Sequence, residues 1–450
     1  MDIILNDQQQ TAIESMTRFI SDSDEQFFTL VGPAGTGKTT TIQHWVKTLS
    51  DTVKICFTAP TNKAVRVLYK MADDNELSVN CMTIYSLLGL RVTLNKDKEV
   101  IKSGGKSHLD KYDVVVIDEC SMVNVELLSY IHRAARSTDV KIIFMGDKCQ
   151  LPPVGEKTSP VFAINNRIEL TKVMRQREEN PVLGLCTDIR HLIDDGNQAP
   201  PVISHAQNAD GNRGVHVMSG QLFSQWMPSA FNTENFDNNY DRFRVVAWRN
   251  KQVDAYNRQI QALRYPELTT PLAVGEPIVF SSPLHRLSTL QDYDFAKYPA
   301  GGWDDIICST ESEGIVTDIT PIPALNYTLS GNEVAINRYW VTCRMLSGEE
   351  PSVSCVMTDD KDRLKKILDA IANEIKNGGE ITWFNFWLLQ KYFADVRPAY
   401  CMTAHKSQGS TFENVFVDAA DILTNPDKEE ALRCLYVAVS RASHNVVVNV

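Results

Sequence analysis

An octapeptide near the N-terminus, GPAGTGKT at residues 32–39, constrains the fold of this chain more than any other feature. It follows the apolar stretch FFTLV (27–31) and leads into the helical pattern TTIQHWVKTL (40–49), the strand–loop–helix context that a phosphate-binding P-loop requires. Glycines let backbone N–H groups wrap phosphates, and the helix N-terminus adds its positive dipole. We expect Lys38 to reach the β- and γ-phosphates and the Thr39 hydroxyl to hold Mg²⁺. The residues predicted to contact the nucleotide here are Gly32, Pro33, Ala34, Gly35, Thr36, Gly37, Lys38, Thr39 and Thr40.

Two further motifs follow apolar strands and complete a predicted hydrolytic site. VVVIDEC places Asp118 and Glu119 at a strand end, where Asp118 is expected to take a Mg²⁺ position and Glu119 to activate the attacking water. The segment GDKCQLPP (146–153) places Gln150 where it can sense the γ-phosphate. An acidic pair after a strand, or a loop that ends in Pro-Pro, is by itself only weak evidence of a hydrolytic site. Behind a P-loop, the two motifs predict nucleotide hydrolysis.

The order of the apolar segments predicts an α/β fold. Short β-branched stretches alternate with helical patterns in the first 170 residues, which is typical of a parallel sheet covered on both faces. Alternating strand and helix patterns occur again in residues 171–268 and 400–450, and strand-like segments dominate between these two regions. The predicted domains are a first α/β domain at 1–90 and 112–170, a second at 171–268 and 400–450, and a β-rich insertion at 269–399.

A short basic segment, residues 91–111, interrupts the first domain. It carries six Lys or Arg residues against three Asp or Glu, with a turn-like Asn-Lys-Asp at 95–97. We interpret it as an inserted β-hairpin; a solvated loop is the alternative. The sheet offers it no packing role, so we expect its apolar residues to form an exposed wedge. Those residues are Val92, Leu94, Val100 and Ile101.

Composition excludes several classes of protein. The chain has 450 residues, 43% of them hydrophobic and 22% charged, as is ordinary for a globular protein. It has no run of 18 apolar residues and no signal-peptide pattern, which favours the cytosol, bacterial or phage-infected. The ten cysteines are scattered singly, so the sequence does not support zinc or redox chemistry. A net charge of −11 restricts any nucleic-acid contact to a local basic channel.

The three motifs resemble those of the superfamily 1 helicases, and further short segments of the chain also match that family and occur in the order in which the family has them. The forms DECSM, GDKCQLPPV and TAHKSQG resemble the RecD-like (1B) branch and, within it, the Dda-type helicases of phage. The resemblance covers residues 5–264 and 400–450. Asn62 and Tyr85 stand where this branch often has histidines. The site residues that the resemblance adds are an adenine-reading Gln9, arginine fingers at Arg175 and Arg441, and DNA contacts at Pro60, Thr61, Thr83, Tyr85, Trp248, Asn250, Thr403, His405 and Lys406.

The resemblance implies a fold and an activity. It implies two RecA-like P-loop motor domains, with the hairpin inserted in the first and an SH3-like insertion in the second. It implies an ATP- and Mg²⁺-dependent motor that moves 5′ to 3′ along single-stranded DNA, separates strands at a fork and works as a monomer. Replication or recombination proteins are its expected partners.

Two other classes of function stay open from the sequence. One is an ATP-driven clamp that binds nucleic acid without unwinding it, which would need no wedge. The other is a small-molecule P-loop kinase, which would leave Arg441 and the block 403–411 unexplained. No residue distinguishes a DNA track from an RNA track, because none visibly reads a 2′-hydroxyl.

Overall fold

A computed structural model describes residues 5–21, 24–95, 98–172, 180–290, 306–329, 332–346, 348–356, 360–379 and 381–450. The helices are α1 (Asp7–Ser21), α2 (Lys38–Thr48), α3 (Asn62–Asp74), α4 (Ile84–Leu87), α5 (Val125–Ala135), α6 (Pro181–Asp194), α7 (Gly220–Phe231), α8 (Glu234–Asn238), α9 (Asn250–Arg264), α10 (Lys361–Lys376), α11 (Trp383–Tyr392), α12 (Ala404–Ser407), α13 (Ala419–Ile422) and α14 (Lys428–Ser440).

The strands follow in chain order. They are β1 (Phe27–Val31), β2 (Ile55–Ala59), β3 (Asn80–Thr83), β4 (Leu90–Asn95), β5 (Lys98–Ser103), β6 (Val114–Ile117), β7 (Lys141–Gly146), β8 (Arg167–Glu169), β9 (Ala206–Gln207), β10 (Gly214–Met218), β11 (Phe243–Ala247), β12 (Pro277–Phe280), β13 (Leu284–His285), β14 (Ile306–Cys308), β15 (Glu313–Leu329), β16 (Asn332–Met345), β17 (Ser352–Val356), β18 (Val396–Pro398), β19 (Cys401–Thr403), β20 (Phe412–Asp418) and β21 (Ala442–Asn449).

The internal contacts of the chain divide it into two compact units. The first unit comprises Met1–Ala230, Asn235–Val253 and Met402–Val450, and so contains both α/β lobes. The second comprises Phe231–Glu234 and Asp254–Cys401. The domain boundaries drawn from the sequence stay a prediction.

The first lobe is built on a parallel sheet of six strands, in the order β3-β2-β6-β7-β1-β8. The β6 sequence VVVI is apolar throughout because both faces of the sheet are covered. Val114 and Val116 pack in a cluster with residues of α1 and α2, while Val115 and Ile117 pack in a second cluster with residues of α5. The predicted parallel sheet is confirmed.

The predicted hairpin is confirmed as an antiparallel pair of β4 and β5, in register from Leu90↔Ser103 to Asn95↔Lys98. The turn at 96–97 lies outside the described residues. The expectation that the hairpin has no packing role is wrong, because Leu90 and Ile101 are buried in the cluster below the sheet. The Tyr130 hydroxyl donates a hydrogen bond to the Ile101 carbonyl oxygen at 3.2 Å. Ile101 therefore anchors the hairpin and does not belong to an exposed wedge.

The second lobe carries another sheet of six strands, in the order β19-β11-β20-β21-β10-β9. The pairs β11–β20, β20–β21 and β10–β21 are parallel, and β9 is an antiparallel edge. Helix α14 is buried along almost its whole length, which explains its apolar sequence ALRCLYVAV.

The second unit is rich in β-structure, as the sequence predicts. Its main sheet has five strands in the order β17-β16-β15-β12-β18, and the neighbouring strands pair antiparallel. Helices α10 and α11 contribute Ile367, Ile371 and Leu388 to a common apolar cluster with strand residues. None of the helices in the described ranges combines the length and apolar character needed to cross a membrane.

Candidate active site

The P-loop joins β1 to α2, as its sequence context predicts. Gly35 and Gly37 have φ angles of 80° and 78°, in the left-handed region that favours glycine. Gly32 is required for another reason: a Cβ atom there would lie 2.8 Å from the Leu170 carbonyl oxygen. The glycines of the motif are therefore fixed by backbone geometry and close packing.

Lys38 is the first residue of α2, and its side chain folds back over the loop. The ammonium donates to the carbonyl oxygens of Gly32 at 2.7 Å and Pro33 at 3.1 Å. The Thr36 hydroxyl donates to the Pro33 oxygen at 2.9 Å. Thr39, the candidate Mg²⁺ ligand, is half-buried in the first turn of α2. The loop thus presents a cation and a hydroxyl beside its backbone donors.

Gln9, the predicted adenine-reading residue, lies beneath the P-loop and is fully buried. Its amide nitrogen donates to the Thr36 carbonyl oxygen at 3.2 Å. Its amide oxygen accepts from the backbone N–H of Asn6 at 2.9 Å, and the Asn6 side chain accepts from the Gln9 N–H at 3.0 Å. Gln9 therefore ties the start of α1 to the phosphate loop.

Asp118 and Glu119 follow β6 directly, and the positive side chains of Lys38 and Arg441 act on this acidic pair. Burial, and then the neighbouring charge of Glu119, raise the pKa of Asp118 to about 7, while Lys38 and Arg441 lower it. Glu119 adopts a left-handed backbone conformation with φ of 52°, and its N–H donates to Asp118 Oδ1 at 2.8 Å. Non-glycine residues in this conformation are strained and are enriched at functional sites.

The 146–151 loop packs against Cys120 and Ser121, the two residues that follow the acidic pair. A Cβ atom on Gly146 would lie 2.6 Å from Cys120 Sγ, so only glycine permits this approach. Gln150, the predicted phosphate sensor, is buried, and its Oε1 accepts from the Ser121 hydroxyl at 3.4 Å. Asp147 is 1% exposed and accepts from the Cys149 N–H at 3.0 Å.

Arg441 reaches this site from the second lobe. It follows α14, its side chain is 7% exposed, and its guanidinium lies 3.9 Å from Glu119 Oε1. Three more bonds hold it, to the carbonyl oxygens of Val437 and Ser410 and to the Ser440 hydroxyl. One site thus combines a loop of the first lobe with an arginine of the second. The other predicted finger, Arg175, lies outside the described residues.

Sequence reasoning missed two residues that link the lobes. The Tyr436 hydroxyl donates to Asp147, and Arg433 donates to the carbonyl oxygens of Lys148 and Gln150. Arg433, Tyr436 and Ser440 are spaced three or four residues apart on α14, so they lie on one face of the helix, and Arg441 follows directly after it. That helical spacing was the signal in the sequence that could have found them.

Three of the predicted DNA-contacting threonines have the same local role. Thr61, Thr83 and Thr403 are the N-cap residues of α3, α4 and α12, and each hydroxyl oxygen accepts an N–H bond from three residues further on. Pro60 is half-buried beside the first of these caps. The N-terminus of the 13-residue helix α3 offers N–H donors and a positive dipole end, which suit phosphate contacts that ignore base sequence; α4 and α12, with four residues each, offer donors and hydroxyls but little dipole.

The three other predicted contacts on strand and helix ends differ in exposure. Tyr85 and Trp248 are half-buried against the cores of their lobes, and Asn250 is exposed at the start of α9. Asp421, which the sequence did not indicate, fixes this start: it accepts from the backbone N–H groups of Trp248 at 2.8 Å and Arg249 at 3.0 Å.

His405 and Lys406 lie on the short helix α12. Lys406 is exposed, and His405 Nε2 lies 3.6 Å from Glu430. Burial lowers the pKa of His405, against the smaller raising effect of Glu430. Potential ligand atoms of His405, Glu430 and Cys434 fall within 4.8 Å of one another. Burial raises the pKa of the Cys434 thiol, which disfavours the thiolate that a metal would need.

The lobes also meet beside these candidate DNA contacts. A Cβ atom on Gly409, whose φ is 71°, would lie 2.8 Å from Ala64 Cβ. The ring of Phe412 lies between two cations, Lys63 of the first lobe at 5.0 Å and Arg244 of the second at 4.6 Å. The predicted DNA-contacting blocks around Thr61 and Thr403 therefore adjoin one another across this junction.

Comparisons with known proteins agree with this architecture. A family model described as an AAA domain matches residues 4–205, and one described as the UvrD-like helicase C-terminal domain matches residues 398–449. An uncharacterised mimivirus protein is 28% identical, over 98% of this chain and 99% of its own length. A RecD subunit of the RecBCD enzyme from Buchnera aphidicola is 33% identical, over 86% of this chain and 64% of its own length.

The structure has the fold of a solved Pif1 helicase, described at forked double-stranded DNA, with a TM-score of 0.51 and 18% identity over all of this chain and 92% of that one. The family models and the relatives indicate the class: a superfamily 1B helicase, an ATP-hydrolysing DNA helicase. Within this class it is related to the ATP-dependent DNA helicase Dda of phage T4, with 25% identity over 98% of both chains.

Proposed function

We propose that this helicase uses Mg²⁺·ATP to move 5′ to 3′ along single-stranded DNA and to separate the strands of a fork. The observation that carries the proposal is the approach of Arg441 to Glu119 at 3.9 Å across the two lobes. An arginine supplied from a second domain makes hydrolysis depend on the relative position of the lobes. Hydrolysis in such a site is therefore coupled to lobe movement.

The donor set of the first lobe fits Mg²⁺. Magnesium prefers oxygen ligands and keeps several waters, and Thr39 and Asp118 offer a hydroxyl and a carboxylate beside a P-loop. Burial, and then the Glu119 charge, raise the pKa of Asp118, and a divalent cation bound to this carboxylate would favour its charged form. The metal would supply charge neutralisation on the β- and γ-phosphates.

Each residue of the site has a proposed role in hydrolysis. Lys38 holds the β- and γ-phosphates, and Glu119 accepts the proton of the attacking water. Gln150 senses the γ-phosphate through its position beside Ser121. Arg441, with Arg175 as second finger, stabilises the charge that develops in the transition state. Gln9 positions the loop through Thr36, and its proposed contact with the adenine requires this buried side chain to become accessible when the nucleotide binds.

The DNA track is proposed to run over the helix N-termini capped by Thr61, Thr83 and Thr403, with Pro60 beside the first and His405 and Lys406 on the third. Tyr85 and Trp248 are proposed to stack on bases, and Asn250 to contact the backbone. Because two of these blocks adjoin at the lobe junction, a change in lobe spacing changes the distance between two gripping points. Such a change moves the chain along the strand.

The polarity follows from relatedness to the RecD-like branch and has its own test. Duplex DNA with either a 5′ or a 3′ single-stranded tail is mixed with the protein and ATP, and strand separation is followed by gel or fluorescence. We expect separation only of the 5′-tailed duplex, and faster with a DNA tail than with an RNA tail. Separation from the 3′ tail alone reverses the polarity, and hydrolysis without any separation favours the clamp.

A further inference from the structure

Three polar side chains, two on α14 and one at its C-cap residue Arg441, contact loops of the first lobe. Arg433 contacts the carbonyl oxygens of the 146–151 loop, and Arg441 lies beside Glu119. Between them, Tyr436 contacts both the 146–151 loop and the P-loop. Among these three side chains, Tyr436 is the one that bonds to the P-loop itself.

The Tyr436 hydroxyl takes part in two hydrogen bonds. It donates its proton to the Asp147 carboxylate and accepts from the backbone N–H of Ala34 at 3.3 Å. Tyr436 and Asp147 are each 1% exposed, so water does not readily replace the bond between them. Burial and the charge of Asp147 raise the pKa of Tyr436 well above its ordinary value, so the hydroxyl keeps its proton and remains a donor.

The P-loop has open space on this side. A cavity of about 250 Å³ is lined by Pro33, Ala34 and Tyr436, with Arg190 and Asp194 among its other walls. Pro33 is buried, but Ala34 is only half-buried, so the packing around Ala34 is incomplete. The bond from Ala34 to the Tyr436 oxygen supplies a fixed point, and Ala34 belongs to the loop that is expected to wrap the nucleotide phosphates.

We propose that Tyr436 is a positioning residue for ATP hydrolysis, whose hydroxyl fixes the P-loop and Asp147 to the helix that precedes Arg441. This inference rests on the proposed hydrolysis of ATP at the P-loop. When the hydroxyl is in place, the loop that holds the phosphates and the arginine that stabilises the transition state share one rigid support. Without it, Lys38 still binds phosphate, but Arg441 is aligned with the reacting phosphate for a smaller fraction of the time.

The test is the substitution Tyr436→Phe, which removes one oxygen atom and keeps the buried ring. Losing a hydrogen bond to a buried carboxylate should lower kcat for ATP by about tenfold or more while KM for ATP changes by less than about twofold. Tyr400→Phe is the matched control. Tyr400 is also fully buried and also donates to a carboxylate, Glu276 at 3.0 Å, but both residues belong to the second unit.

A double-mutant cycle with Asp147→Asn adds a readout that loss of stability alone would not move. If Tyr436 acts through Asp147, the double variant loses no more kcat than Tyr436→Phe alone. Wild-type kcat in Tyr436→Phe overturns the proposal, and so do multiplicative effects of the two substitutions on kcat in the cycle. Losses of kcat and melting temperature in Tyr400→Phe that equal those in Tyr436→Phe also overturn it. If the wild-type chain hydrolyses no ATP, the proposed function fails first, and the inference falls with it.

Discussion

Replacing Arg441 with alanine should abolish most ATP turnover while leaving ATP binding nearly unchanged. The guanidinium is buried and lies 3.9 Å from Glu119, the residue proposed to activate the attacking water. A guanidinium placed within about 4 Å of the charge that develops on the γ-phosphate would stabilise it by about 4 kcal/mol at an effective dielectric constant of about 20. That energy corresponds to a factor of about 10³ in rate, at the lower end of the 10³–10⁵ range of arginine fingers.

The assay measures steady-state hydrolysis at saturating single-stranded DNA, with ATP affinity measured separately by a fluorescent analogue. Arg441→Lys, which keeps the charge but not the planar fork, should fall between wild type and alanine. Arg242→Ala removes an arginine whose ion pair with Glu413 lies near the surface, and it serves as the control. If Arg441→Ala retains kcat within tenfold of wild type, the arginine-finger assignment is refuted.

Three further substitutions test the remaining roles. Lys38→Ala should abolish turnover and leave binding of single-stranded DNA largely intact, as measured by fluorescence anisotropy; turnover near the wild-type rate would reject the phosphate role. Glu119→Gln should bind Mg²⁺·ATP normally and stall hydrolysis in a single-turnover assay; lost nucleotide affinity would instead make Glu119 a ligand. Replacing residues 93–100 of the hairpin with a Gly-Ser link, with Leu90 and the buried Ile101 retained, should preserve DNA-stimulated hydrolysis and abolish strand separation. A deletion variant that unwinds as fast as the parent would assign the wedge to another part of the chain.

Local sequence patterns were enough to place the P-loop and the acidic pair in the fold, while the roles of their residues stay predictions. The P-loop needs glycine, lysine and threonine at fixed spacing between a strand and a helix, and all of these constraints act within a few residues. Asp118 and Glu119 could be placed for the same reason, because parallel strands end at one edge of a sheet. The chemistry of the first lobe is therefore largely local in origin.

Contacts between distant segments could not be predicted in this way. Tyr436 and Asp147 are 289 residues apart in the chain, and neither lies at a motif position singled out for its chemistry. Asp421, whose carboxylate fixes the start of α9, lies in the four-residue helix α13, more than 150 residues further along the chain. The role of Ile101 was misjudged because the basic composition of its segment suggested full exposure, whereas the base of the hairpin is a part of the core.

We propose that the two lobes form one ATPase site that responds to nucleic acid. The rate of ATP hydrolysis by the wild-type chain, measured over a titration with single-stranded DNA, tests this proposal. We expect a saturable increase of about tenfold or more, because a strand that contacts both lobes favours the alignment of Arg441 with the phosphates. A rate that is independent of DNA at every concentration would contradict it.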